Sequence, residues 1–205
     1  MQDKFLELWR EYCGDIDTDT FDRVMVFFEI LIKTNSEVNF FSRKITREVL
    51  YMDHILDCAL ALNHFGDAKN ILDFGTGGGL PGMILAICLP QKKIFLLDKS
   101  NKKVHYLKKM IKHCNVKNVY VGTELEDSDL KKIDCVTSRA VGSLEKTSSK
   151  VIDLGVDNAK MIFYKARKEK IEEECQLLSK PFEMEIVPLK NPENKERHLV
   201  ILSKK

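Results

Sequence analysis

No apolar run in this 205-residue chain approaches the roughly 18 to 20 residues a membrane helix needs. The longest stretch, Val24 to Ile32, is interrupted by Glu29, so no membrane span is expected. Signals for cysteine pairing are also lacking. Cys13, Cys58, Cys88, Cys114, Cys135 and Cys175 stand singly, with no Cys-x-x-Cys and no Cys/His spacing of a zinc site. They read as six reduced thiols, mostly packed as small apolar side chains. A disulfide scaffold is excluded, and no metal is expected. The start, Met1-Gln2-Asp3-Lys4, has no basic region followed by an apolar stretch, so no secretory leader is expected and the cytoplasm is the expected compartment. There is no internal repeat and no low-complexity segment. Neither sign of charge dominates, with 33 Lys plus Arg against 31 Asp plus Glu. What is left is an ordinary globular composition, long enough to bury a core without staples.

The near-neutral total conceals a split. Residues 1–66 carry 7 basic and 12 acidic side chains, and residues 67–205 carry 26 and 19. A basic half suits a polyanion partner, because each phosphate contact releases counterions. A lysine-rich surface that only solvates the fold has the same composition.

Periodicity changes at the same boundary. Up to Gly66 the pattern is helical. Phe5, Leu6, Leu8, Trp9 and Tyr12 make one short stripe. A second helix is expected from Thr18 or Asp19 to about Lys33, broken by Thr34-Asn35-Ser36, and a third from near Thr46. After Gly66, short apolar runs at 71–74, 93–97, 119–121, 133–138 and 161–164 alternate with helical segments. That alternation predicts a parallel sheet covered by helices on both sides. Two last strands, 183–189 and 197–202, are joined by a loop too short for a crossover, so they should be antiparallel. The expected organisation is a helical extension, 1–66, followed by an α/β domain, 67–205.

The chemistry concentrates where the first strand runs into glycines: Ile71-Leu72-Asp73-Phe74-Gly75-Thr76-Gly77-Gly78-Gly79-Leu80-Pro81-Gly82. Glycines there permit a sharp turn and a close ligand approach, and the next helix offers free N–H groups. Asp98, 21 residues after Gly77 and at the end of the second strand, can accept ribose hydroxyls. An adenosine-containing cofactor follows. Gly77-x-Gly79-x-x-Gly82 fits a dinucleotide fingerprint. However, Asp73 would repel a pyrophosphate, and it suits the cationic sulfonium or ammonium of S-adenosylmethionine. Replacing Asp98 by Ala is expected to weaken donor binding and leave folding almost unchanged.

The chain also resembles the glucose-inhibited division protein B family, the bacterial 16S ribosomal RNA guanine-N7 methyltransferases. The resemblance lies in Asn39-Phe40-Phe41-Ser42, His54-Ile55-Leu56-Asp57-Cys58, Leu72 to Gly82 with its Pro-Gly ending, Leu97 to Val104, Thr137-Ser138-Arg139-Ala140-Val141 and Arg197-His198-Leu199. It implies a class I methyltransferase (Rossmann-like) seven-stranded mixed sheet. It also implies S-adenosylmethionine as donor, no metal, and 16S ribosomal RNA or the small ribosomal subunit as partner. Gly75, Leu80, Leu125, Glu126 and Arg139 would contact the donor, beside Asp73, Gly77, Gly79 and Asp98. Where the family usually reads Gly-Arg-Ala-Glu, this chain has Gly122-Thr123-Glu124-Leu125-Glu126, which makes Glu124 an alternative to Glu126. A monomer is expected.

Several chemistries lack their parts. No Asp/Asn-Pro-Pro-Tyr/Phe segment follows the fourth strand to align an exocyclic amine, and Cys135 lies inside that strand as core. Guanine N7 has an in-plane lone pair and no proton, so its methylation needs positioning and electrostatics without a general base. Arg139 is a candidate to hold guanine O6, or else a structural ion pair. His54 and Asp57 close over donor and base, or else fix the helical extension to the sheet. Lys165, with Arg167, Lys168 and Lys170, is placed to grip RNA on the ligand-binding face, or else begins a solvated helix. A non-catalytic cofactor sensor or ribosome-associated binding module, and a nicotinamide-dependent oxidoreductase, remain the alternatives.

Overall fold

The computed structural model describes residues 2–204. Two helices open the chain, α1 (Gln2–Cys13) and α2 (Thr18–Val38). Asp17 caps α2 by accepting the Thr20 N–H. The expected break at Thr34-Asn35-Ser36 does not occur. Thr34 and Asn35 face the core, and the Asn35 amide brackets the backbone of Phe41, accepting its N–H at 2.8 Å and donating to its C=O at 3.3 Å. The helix ends instead at Asn39, which takes a left-handed conformation (φ 54°) and returns its N–H to Asn35.

The third helical region is continuous but irregular. It runs through α3 (Arg47–Leu50, capped by Thr46), a π-helical segment (Tyr51–Leu56), α4 (Asp57–Ala59) and a 3-10 turn (Leu62–Phe65). π-helical segments are uncommon and concentrate at functional sites. This one carries Asp53 and His54.

Seven strands follow: β1 (Asn70–Phe74), β2 (Lys93–Leu97), β3 (Val119–Gly122), β4 (Cys135–Arg139), β5 (Lys160–Lys165), β6 (Phe182–Pro188) and β7 (His198–Lys204). They form one sheet in the order β3-β2-β1-β4-β5-β7-β6. The first five strands pair in parallel, while β7 is antiparallel to both β5 and β6. The crossovers carry α5 (Gly82–Cys88), α6 (Asn101–His113), α7 (Asp127–Leu130), α8 (Leu144–Asp153) and α9 (Lys168–Gln176). The apolar runs of β1, β2, β4 and β5 are buried because helices cover both sheet faces.

Two apolar clusters lie on the two sides of the sheet. One joins Phe5, Trp9, Phe28, Tyr51 and Leu56 of the N-terminal helices to α5, α6 and residues of β1 and β2. Phe5 and Tyr51 stack at 3.8 Å, and the Tyr51 hydroxyl donates to the Phe5 carbonyl. The other cluster packs α8 and α9 against β4, β5 and β7. No helix of the described residues is long and apolar enough to cross a membrane.

Candidate active site

Strand order reverses between β1 and β4, so a crevice opens there at the carboxyl ends of the strands, the usual ligand position in such sheets. The glycine turn lies on its β1 side. Gly75 and Thr76 both send their N–H groups to the Leu97 carbonyl, at 2.8 and 3.0 Å. Gly75, Gly77 and Gly79 have φ of 75°, 60° and 88°. Gly77 cannot be replaced cheaply, because its left-handed backbone aims its N–H at Asp98 Oδ2, 3.0 Å away. Leu80 is buried under the turn.

Asp73 is fully buried and ties the turn to α5. Its Oδ2 accepts from the Thr76 hydroxyl at 2.6 Å and from the Gly82 N–H at 2.8 Å. Gly82 must be glycine for a steric reason: an added Cβ would lie 2.7 Å from that same oxygen. Asp73 Oδ1 is the one buried side-chain polar atom without a partner among the described residues. Burial raises the carboxyl pKa to about 6, although the Thr76 and Gly82 hydrogen bonds and Arg139 pull it down. At neutral pH the group is mostly ionised. A buried anion beneath the turn favours a cationic ligand and disfavours a pyrophosphate.

Asp98 is also engaged. Oδ1 accepts from the Ser100 N–H at 3.0 Å, and Oδ2 lies 3.4 Å from Lys103 Nζ in addition to its Gly77 bond. The expectation that its loss would leave folding almost unchanged is therefore corrected: Asp98 anchors the glycine turn and the start of α6. Oδ1, with one donor, retains a second lone pair for a ligand hydroxyl. Beyond β3, Leu125 packs beside the second apolar cluster, while Glu124 and Glu126 are both exposed. Glu126 begins α7 without a side-chain cap bond.

Arg139, the last residue of β4, is drawn toward the N-terminal helices. Its NH1 donates to the Asp53 carbonyl at 3.2 Å and lies 3.7 Å from Asp57 Oδ2. Its NH2 is 2.9 Å from His54 Nδ1. A guanidinium has only donors, so Nδ1 accepts and the neutral ring carries its proton on Nε2. Burial, then the Arg139 charge, lowers the His54 pKa to about 4. The Phe41 ring sits 4.5 Å from the imidazole. His54 and Asp57 thus meet Arg139 together and bind the extension to β4.

Two partners, Asp53 and Lys195, had no sequence signal, and Arg197 was marked only within the Arg197-His198-Leu199 resemblance. Arg197 Nε reaches Asp57 Oδ1 at 3.1 Å and its NH2 reaches Asp53 at 3.2 Å. Lys195 bonds Asp53 at 2.8 Å. Burial raises the Asp57 pKa against the pull of both guanidiniums. Burial is the largest single influence on Asp53 and pushes it upward, but Lys195, Arg197 and His54 together outweigh it and the net shift is down. The carboxylate spacing Asp53-x-x-x-Asp57 was the available clue to the role of Arg197.

Lys165 ends β5 but is not a free cation. Its ammonium donates to Glu174 Oε2 at 2.7 Å and to the Gly142 carbonyl at 2.9 Å. Glu174 is buried and also accepts the Leu144 N–H at the start of α8. The pair therefore pins the α8 end of the β4–α8 loop. Val141 of that loop packs directly on Gly75. A cleft of about 990 Å³ opens over the ends of β4 and β5, walled among others by His54, Asp57, Arg139, Tyr164, Lys165 and Arg197. Among the described residues, no group of three or more His, Cys, Asp or Glu side chains is placed to hold a metal ion.

The family model described as rRNA small subunit methyltransferase G matches residues 21–200. The chain belongs to that family. A protein of Brachyspira hyodysenteriae named ribosomal RNA small subunit methyltransferase G is 35% identical over 191 residues, 92% of this chain and 93% of its own length. A Bdellovibrio bacteriovorus protein named ribosomal RNA small subunit methyltransferase G 1 is 36% identical, covering 88% of this chain and 89% of its own. Among solved structures, an O-methyltransferase from Bacillus cereus in complex with SAH aligns with a TM-score of 0.59 at 14% identity, covering 100% of both chains. A SAM dependent methyltransferase from Aquifex aeolicus aligns at 0.56 and 16% identity, covering 80% of this chain and 96% of its own. At those identities the likeness concerns the fold, which is the class I methyltransferase sheet. Membership of this family sets aside the nicotinamide oxidoreductase.

Proposed function

We propose that this chain transfers a methyl group from S-adenosylmethionine to N7 of a guanine in 16S ribosomal RNA. The observation that carries the proposal is the crevice itself. A glycine turn over a buried carboxylate lies on one side, and an arginine-lined cleft lies on the other. The names of the family relatives support ribosomal RNA as acceptor. Residues 67–205 form the catalytic unit in this reading. Residues 1–66 are an extension that closes one wall of the cleft through Asp53, His54 and Asp57. The protein acts as a cytoplasmic monomer.

The residues present fit the donor. Asp98 would take the ribose, Gly75, Gly77, Gly79 and Leu80 would line the turn, and Leu125 with Glu124 or Glu126 would flank the adenine. Asp73 would supply negative potential. When bound, S-adenosylmethionine supplies an electrophilic methyl group. The cleft's own side chains suit an acceptor that brings its own lone pair. Arg139 covers His54 Nδ1, and Arg139 and Arg197 occupy Asp57. The Tyr164 hydroxyl donates to the Cys58 carbonyl, and burial holds its pKa well above the usual phenol value. None of these groups is set up to remove a proton from an amine, and N7 has none to remove. Arg139 would then orient guanine O6 or the donor carboxylate, and Lys165 would shape the β4–α8 loop.

The test is methyl transfer from labelled S-adenosylmethionine to small-subunit RNA, with the product nucleoside identified by mass. N7-methylguanine is expected. A methylated exocyclic amine or ribose would contradict the proposed chemistry.

A further inference from the structure

The surplus positive charge of residues 67–205 has a single location. The 25 residues from Lys99 to Thr123 contain seven lysines and two histidines, with no Asp or Glu. The rest of 67–205 holds 19 basic and 19 acidic side chains. The segment is α6 with its flanks. Val104, Leu107 and Met110 bury one helix face. Lys102, His105, Lys108, Lys109 and Lys112 are exposed, and Lys99 and Lys117 extend the same charge beyond the helix ends. Lys102, Lys109 and Lys112 recur at helical spacing, so they form a stripe roughly 15 Å long. Among the described residues, the only ion pair made by this segment joins Lys103 to Asp98. Lys102 donates to the Glu37 carbonyl, and Tyr106 donates to the Glu37 carboxylate, so the nearest acid is already occupied.

The segment expected to grip RNA is different. Lys165 is half-buried and paired with Glu174, Lys168 lies 3.9 Å from Glu172, and α9 also carries Glu169 and Glu173. Four basic side chains at Lys165, Arg167, Lys168 and Lys170 are matched there by four glutamates.

We propose that the exposed lysine face of α6 is the principal surface through which this protein holds the phosphate backbone of its RNA substrate. The proposal rests on the ribosomal RNA reading above. An acid-free helix face meets the need to displace counterions from closely spaced phosphates, and such contacts carry affinity without reading sequence. Its position is compatible with the cleft. α6 starts beside Asp98 at the carboxyl end of β2, and the cleft lies over β4 and β5, two to three strand spacings along the same edge. At about 4.8 Å per strand that is roughly 10–15 Å, which one structured RNA element spans.

The test compares two triple variants, Lys108→Gln/Lys109→Gln/Lys112→Gln on α6 and Arg167→Gln/Lys168→Gln/Lys170→Gln around α9. Binding to 16S ribosomal RNA would be measured across a salt series, alongside S-adenosylmethionine affinity and thermal stability. The α6 variant should flatten the slope of log K against log salt by about 2 to 3, at about 0.7–0.9 per lost contact. Its donor affinity should stay unchanged, and the α9 variant should move the slope by less than about 1. In the wild-type protein, bound RNA should shield Lys108, Lys109 and Lys112 from an amine-reactive label more than Lys168 and Lys170. An unchanged α6 slope with wild-type methyl transfer would overturn this assignment while leaving the activity intact. A defect seen on assembled subunits but absent on naked RNA would also overturn it, because the face would then meet a ribosomal protein. Failure of the wild-type chain to methylate RNA at all would instead count against the underlying function.

Discussion

Replacing Asp98 by Ala should cost this protein both stability and donor affinity, in amounts that separate two roles. The carboxylate accepts the Gly77 and Ser100 N–H groups, each at 3.0 Å. Hydrogen bonds to a charged acceptor contribute about 1.5–3 kcal/mol each. Both donors are partly buried, so water compensates only in part, and a net loss of about 3 kcal/mol is expected. In a protein of this length that lowers Tm by about 6–12 °C. The ribose contacts would be lost separately, weakening S-adenosylmethionine binding by about 1–3 kcal/mol, or roughly 5- to 150-fold. Asp98→Asn should fall between, because its single carbonyl oxygen can satisfy one backbone donor while its NH2 faces the other. Thermal denaturation reads the first quantity and calorimetric titration the second. A variant with wild-type Tm would refute the anchoring of the turn, and one with lowered Tm but unchanged donor Kd would refute the ribose contact.

Other outcomes follow from the same contacts. Arg139→Lys keeps the charge but cannot serve His54, the Asp53 carbonyl and Asp57 together; turnover at saturating substrates should fall more than tenfold, about 1.4 kcal/mol in the barrier, and full turnover would reduce Arg139 to a structural tie. The His54 pKa is lower in the fold than unfolded, so the unfolded chain binds the extra proton and stability contributed by His54 is lost as pH falls from about 6.5 toward about 4. Asp73, raised to about 6, acts oppositely between about 4 and 6. The His54 effect therefore appears as the stability of wild type relative to His54→Gln, which should decline by about 3 kcal/mol across that window; a flat difference would refute it. Lys165→Met should cost about 3 kcal/mol by leaving buried Glu174 without its cation. Adding Glu174→Gln should restore part of that loss, and equal melting of wild type and Lys165→Met would show the pair to be unimportant.

What the sequence disclosed was what is encoded locally. The β2 run at 93–97 is the observed strand, because an apolar run of β-formers between polar turns has few other uses in an α/β chain. The glycine turn, Asp73 and Asp98 were visible because two consecutive strand ends carry them in register. The end of α2 was misplaced because Asn35, polar by type, reads as a breaker. In the fold it is a buried bracket for Phe41. Long-range partnerships left no mark. Asp53, Lys195 and Arg197 meet across more than 140 residues, and Glu174 meets Leu144 across 30. Periodicity cannot register such pairs. Nor could it show the π-helical turn that brings the Asp53 carbonyl and the His54 ring to Arg139. The net charge of 67–205 was legible, but which lysines are paired was not, because only the fold sets Lys165 against Glu174 and Lys168 against Glu172.

The central claim is that this chain methylates guanine N7 in 16S ribosomal RNA, and it is tested most directly by mapping N7-methylguanine in ribosomal RNA from cells with and without the intact chain. One 16S guanine should carry the methyl only when the chain is present, and should lose it when Arg139→Lys or Asp98→Ala replaces the wild type. Identical N7-methylguanine maps in the presence and absence of the chain would contradict the account.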